Sequence, residues 1–211
     1  MTEQKKTNGE VLTLFPSPIF LTNYTERFKD LGDLDDLTEN LIKHIEEQDV
    51  VESSVIHCRK SNQLHKIPEL KELCEGIISL GESICDFYHL DYDELYITSM
   101  WANLSTSEYY SQRQHIHPNN YLSGIIHLKG PENCSGTTFC DPRPAVEVLE
   151  PEYTQSTMFN TTRQVIPFVP GNVLIFPSWL PHCVLPSEMP FKNDDVRITL
   201  SFNLMFREKT D

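Results

Sequence analysis

The sequence predicts a mainly β fold with a helical buttress, built as a double-sheet jelly roll. Two observations carry this expectation. Before residue 90, apolar residues recur at helical spacing; after it, short apolar runs alternate with Gly, Pro and Asn turns, the texture of a sandwich or barrel. Helices first and strands afterwards place the helices as a layer against a closed pair of sheets. At 211 residues and 39% hydrophobic content the chain can bury a core, about 70% of its unfolded surface for this size.

The elements follow in order. Residues 1–10 form a loose polar tail. Val11 to Phe20, VLTLFPSPIF, is apolar but carries two prolines, which confine it to an edge strand or an extended arm. Residues 25–50 hold nine Asp/Glu against three Lys/Arg, and Leu34, Leu37, Leu41 and Ile45 fall on one helical stripe. The result is an amphipathic helix with an acidic, solvated outer face. Pro68 opens the next helix at a first-turn position. Its stripe of Leu70, Leu73, Ile77, Leu80, Ile84 and Phe87 covers little more than two heptads, too short for a coiled coil, so the helix is expected to pack on a sheet. Residues 34–88 are thus the helical support and residues 95–206 the jelly-roll core. Strands are expected at Leu95 to Leu104, Tyr121 to Leu128, Thr137 to Phe139, Gln164 to Val169, Val173 to Phe176, His182 to Leu185 and Val196 to Phe206. No repeat or linker divides the chain, so residues 1–211 are read as a single domain.

Composition narrows the function. The net charge is 17 − 31 = −14, which disfavours nucleic acid as a partner. No apolar run approaches the roughly 18 residues of a membrane span. The opening MTEQKKTNGE lacks a signal core, so a cytoplasmic protein with reduced thiols is expected. The six cysteines contain no C-x-x-C pair, against a zinc ribbon. Cys183 beside His182 has the look of a nucleophile and its base, but strand neighbours point to opposite faces, which favours a small core residue. The acidic helix faces either water or a second copy in a homodimer; the sequence leaves both open.

Three features carry chemistry. His115-Ile116-His117 on a strand would project two imidazoles from one face and send Ile116 into the opposite packing layer. Pro170 to Val184, PGNVLIFPSWLPHCV, reads as a turn, a buried strand ended by Pro177, and a second strand begun by His182. A jelly roll can bring His182 beside the first pair, giving three nitrogen ligands suited to Fe, Cu, Zn or Ni. In VRITLSFNL, apolar residues alternate with Arg197, Thr199, Ser201 and Asn203, a half-buried strand whose polar side offers a guanidinium to a carboxylate.

Taken together these segments resemble the iron(II)- and 2-oxoglutarate-dependent oxygenases, and within them the small 2OG-Fe(II) oxygenase family of bacteria and marine phages, often labelled prolyl hydroxylases. The matching segments are FPSPIF (Phe15 to Phe20), SMWANL (Ser99 to Leu104), HIHP (His115 to Pro118), LSGII (Leu122 to Ile126), GTTFCDPR (Gly136 to Arg143), FPSWLPH (Phe176 to His182) and RITLSFN (Arg197 to Asn203). The resemblance spans about residues 11 to 206 and implies a double-stranded β-helix. It implies that His182 is the distal Fe(II) ligand, which in this sequence makes His115, His117 and His182 the expected set, and that 2-oxoglutarate is held by Arg197 and Thr199, with Asn103 touching the cosubstrate. It implies that O2 is consumed with 2-oxoglutarate, giving succinate and CO2, while an unactivated C–H bond of a protein side chain or a small molecule is hydroxylated.

One position departs from the superfamily. Where H-x-D or H-x-E is usual, His117 stands. Either the metal has three His ligands, or a carboxylate such as Asp141 arrives from elsewhere; Asp141 equally suits a turn cap before Pro142. A three-His centre keeps more positive charge on the metal and also occurs in cupin-type dioxygenases that use no 2-oxoglutarate. That is one alternative reading; a metal-binding module without turnover is the other. His127 on the LSGIIHL strand reads as a packed or hydrogen-bonded core residue, and Trp101 and Trp179 as core or pocket-lining aromatics.

Overall fold

The computed structural model describes residues 10–47, 59–60, 63–132, 134–143, 145, 148, 151–192 and 194–209. The expected polar tail lies outside them except for Glu10. So does the stretch 48–58 of the helical support, with His57 and Cys58.

The arm from Val11 is irregular and exposed, Phe15 to 91%, and it leads into strand β1 (Phe20–Asn23). Of the two alternatives for this stretch the arm holds; the edge strand begins only at Phe20, its last residue. The acidic region is two pieces rather than one. A short α1 (Tyr24–Arg27) is separated from α2 (Leu34–Glu47) by Gly32, whose φ of 99° suits glycine. In α2 the buried set is Leu34, Thr38, Leu41 and Ile45; Leu37 stands half-buried beside it. Pro68 opens a single 3-10 turn, Pro68–Leu70, that runs directly into α3 (Lys71–Phe87). On α3, Leu73, Ile77 and Ile84 are buried, whereas Phe87 at the end of the predicted stripe is exposed and meets Phe20 edge-on. Gly81 shows why this helix packs on a sheet. A Cβ there would lie 2.7 Å from both Leu95 and Leu204, so the helix backbone approaches the strands closely.

After a two-residue β2 (Arg59–Lys60), the strands are β3 (Glu94–Ser105), β4 (Gln112–His115), β5 (Leu122–Lys129), β6 (Thr137–Cys140), β7 (Arg163–Ile166), β8 (Asn172–Pro177), β9 (His182–Val184) and β10 (Arg197–Arg207). They form two antiparallel sheets, six strands in the order β1-β8-β5-β10-β3-β2 and four in the order β4-β9-β6-β7. The predicted double-sheet architecture is therefore present.

Strand β10 sits in the middle of the larger sheet, and its alternation divides the molecule. Ile198, Leu200, Phe202 and Leu204 join the core made with the helices. Arg197, Thr199, Ser201 and Asn203 lie on the other face, and all four are buried too. The half-buried strand expected from sequence is buried on both sides, because the smaller sheet covers its polar face. A second, small apolar cluster of Phe139, Leu174, Phe176 and Leu180 fills part of this inter-sheet space. The rest is polar, and it holds the site.

Candidate metal centre

Three imidazoles meet at one end of the inter-sheet space. The nitrogen atoms that His115, His117 and His182 can offer to a metal all lie within 4.8 Å of one another. Among the described residues this is the sole cluster of metal-ligating side chains of this kind. His182 opens β9, buried, after the turn that Pro177 begins. His115 closes β4 directly opposite it in register. His117 lies beyond the strand, contrary to the expected two-residue strand projection. The loop is instead pinned where the His117 N–H donates to the Ser178 carbonyl at 2.9 Å. Ile116, at 46% exposure, faces outward rather than into a packing layer.

The rings are set for coordination. His182 Nδ1 lies 3.0 Å from the Leu180 carbonyl and His115 Nδ1 2.8 Å from the Arg113 carbonyl. A carbonyl accepts, so each Nδ1 carries the hydrogen and each Nε2 presents a lone pair. His117 Nε2 is 3.2 Å from His182 Nε2. Two nitrogens bound at right angles to one ion, each about 2.1 Å from it, would be about 3 Å apart, so the pair suits a shared metal. Burial first, then the neighbouring His115, lowers the His182 pKa to about 4, which keeps it in the neutral, ligating form. Trp101 stacks on His117 with centroids 5.9 Å apart and lines the same small cavity, together with Ser123, Phe176 and Ser201. Trp179 is exposed.

Among the described residues no carboxylate joins the three histidines. Asp141, the sequence candidate, is engaged by Arg143 through both its oxygens, Nη2 to Oδ2 at 2.6 Å and Nε to Oδ1 at 2.9 Å. The Arg143 backbone N–H also reaches Oδ1, which makes Asp141 a turn cap, and these bonds hold its carboxyl below the usual range. Sequence reasoning missed one neighbour of the metal face. The Gln112 amide lies 3.2 Å from His115 Nε2.

The same polar face continues along β10 to a second cluster. Arg197 is 2% exposed, and no salt bridge among the described residues compensates it. Its Nε donates to the Ser135 carbonyl at 3.3 Å, and its guanidinium lies over the rings of Tyr110 and Phe168. Thr199 pairs across the sheet with Asn103 on β3 and with His127 on β5, so all three share one face. Asn103 Nδ2 donates to Ser201 Oγ at 3.4 Å. His127 is fully buried, stacked on Phe168, and its Nδ1 accepts the Val169 N–H at 3.3 Å. Its Nε2 has no partner, and neither does the buried Thr137 Oγ1. Burial, with Arg197 adding to it, lowers the His127 pKa to about 3. The ring is therefore neutral, with its hydrogen on the unpartnered Nε2. A buried guanidinium and two unpartnered polar groups in the same interior have the chemistry of a carboxylate receptor. The core reading of His127 holds for its burial but leaves this polar atom unexplained.

A family model described as "Putative 2OG-Fe(II) oxygenase" matches residues 99–203, which contain the three histidines, Asn103, Arg197 and Thr199. The chain belongs to this family. The oxygenase is an enzyme of the Fe(II)- and 2-oxoglutarate-dependent class, and its donor set fits both groups. Solved structures show the same fold at low identity. A Pseudomonas putida prolyl-4-hydroxylase is 14% identical with a TM-score of 0.59, covering 92% of this chain and 94% of that one. The epimerase SnoN from nogalamycin biosynthesis is 12% identical with a TM-score of 0.62, covering 90% and 81%. HygX from Streptomyces hygroscopicus, solved with nickel and 2-oxoglutarate bound, is 11% identical with a TM-score of 0.56, covering 92% and 86%. No curated protein matches the chain. Among the described residues no helix is long and apolar enough to cross a membrane.

Proposed function

We propose that the oxygenase hydroxylates an unactivated C–H bond, with Fe(II) held by His115, His117 and His182 and 2-oxoglutarate anchored through Arg197, Thr199 and Asn103. One observation carries the assignment. The imidazole cluster and the uncompensated Arg197 occupy the same inter-sheet face, one toward each end of it. Metal and cosubstrate together supply the oxidising power once O2 is present. The chain's own residues supply position and dryness. The Leu180 and Arg113 carbonyls fix the ligand tautomers, and Trp101 and Phe176 wall the cavity. Arg197 is a bidentate donor, and the His127 N–H adds a neutral one. A prolyl side chain of a protein is the first substrate to test, since one structural relative is a prolyl-4-hydroxylase. The free thiols among the described cysteines suit a cytoplasmic protein, and the chain is read as one domain.

The test is anaerobic Fe(II) binding, then 2-oxoglutarate, then O2. A visible metal-to-ligand charge-transfer band followed by slow succinate release without substrate is the expected result. Tight iron binding with neither band nor succinate overturns the reading in favour of a three-His dioxygenase or a metal-binding module without turnover.

A further inference from the structure

Gln112 has an unusual position for its place in the sequence. It lies three residues before His115, and on a regular strand residues three apart point to opposite faces. Here Gln112 pairs with Val184 and His115 with His182, three residues on β4 against two on β9. The extra residue is a bulge, and it turns the Gln112 side chain onto the metal face. Its amide nitrogen lies 3.2 Å from His115 Nε2, and the side chain lines the cavity with all three histidines. Because His115 Nδ1 is committed to the Arg113 carbonyl, the atom facing Gln112 is the Nε2 lone pair, the atom a metal would take.

We propose that Gln112 is a fourth member of the metal site, a neutral amide standing where a carboxylate would otherwise serve. The inference rests on the three-histidine reading above. With no cation at Nε2, the amide N–H donates to the imidazole. Once the lone pair is committed to a divalent ion, the N–H end loses its acceptor and faces a positive field. A primary amide is a dipole with an oxygen at its other end, and the field of a nearby divalent ion orients such dipoles oxygen-inward. Gln112 then offers its Oε1 to the ion or to a water bound to it. The bulge would thus have a use: it positions a hard oxygen beside three imidazoles, and it does so without a negative charge.

Anaerobic titration with Co(II), read by its visible d–d absorption, tests this without relying on turnover. Gln112→Leu removes the oxygen and Gln112→Glu makes it anionic. Gln112→Leu is expected to bind Co(II) about 10- to 100-fold more weakly, the usual loss for a supporting group at a metal site, with a changed d–d spectrum. Gln112→Glu is expected to bind more tightly than the wild type. Unchanged or tighter binding by Gln112→Leu, with the wild-type spectrum, overturns the proposal and makes Gln112 only a lid on His115. His182→Ala separates the two levels of failure. If it binds Co(II) like the wild type, the three-histidine centre itself is wrong. Circular dichroism of each variant establishes that a loss of binding is not a loss of fold.

Discussion

His117 Nε2 and His182 Nε2 face each other at 3.2 Å on rings parallel to within 7°. His182 already spends its Nδ1 hydrogen on Leu180, so its side of this contact is a lone pair. A cation between the two rings satisfies both. His182→Ala is therefore expected to abolish Fe(II) binding in an anaerobic titration, whereas Asp141→Asn, at a carboxyl engaged by Arg143, should leave the iron affinity unchanged.

Arg197 should be separable from the metal. Arg197→Gln removes the charge proposed to hold the cosubstrate carboxylate, and loss of one partner in a buried ion pair costs about 2–5 kcal/mol. That corresponds to at least about a 30-fold weaker 2-oxoglutarate affinity. The charge-transfer titration should show this loss while Fe(II) binds as before.

Cosubstrate should also stabilise the fold, because its carboxylate would compensate a guanidinium that is 2% exposed. A ligand at 100 times its Kd adds about 2.7 kcal/mol. For a chain of this size that is a rise in Tm of about 5–10 °C, measurable by differential scanning fluorimetry with Fe(II) and 2-oxoglutarate. Arg197→Gln should lose most of the rise.

His127 predicts a pH dependence. Its folded pKa, about 3, lies below the ordinary histidine value of 6.5. Between these values the unfolded chain binds the extra proton, so the stabilising contribution is complete above pH 6.5 and falls as the pH drops toward 3. The slope from this one group is about 1.4 kcal/mol per pH unit. Urea unfolding at pH 7, 6 and 5 should show a shallower decline for His127→Gln than for the wild type.

Much of the fold was legible because it depends on local pattern. The alternation Ile198, Leu200, Phe202, Leu204 marked β10, and the Pro177 stop marked the turn that delivers His182. The histidines were legible as a cluster from the H-x-H pair and the jelly roll that returns His182 beside it, but the setting of His117 was not, since it lies off the strand and is placed by a backbone bond to Ser178. Gln112 was not legible at all. A bulge is a property of two strands in register, and nothing in SQRQHIH announces that β9 will supply one residue fewer. Likewise the burial of Arg197 depends on the smaller sheet closing over it, a long-range event that no alternation within β10 encodes. The break between α1 and α2, by contrast, has a local mark in Gly32, the residue that takes a φ of 99° without strain.

The short strand β9 orders His182 and Cys183 side by side, with His182 opposite Phe139 and Cys183 opposite Thr138. Alternation sends the imidazole toward the metal face and the sulfur to the other side of the sheet. A slip of one residue would reverse them. A thiolate is a soft ligand and among the side chains that oxidants attack first. With the metal held as proposed, the register of three residues would keep this sulfur on the far side of the sheet from the oxidising centre. That separation bears on how many turnovers one molecule survives.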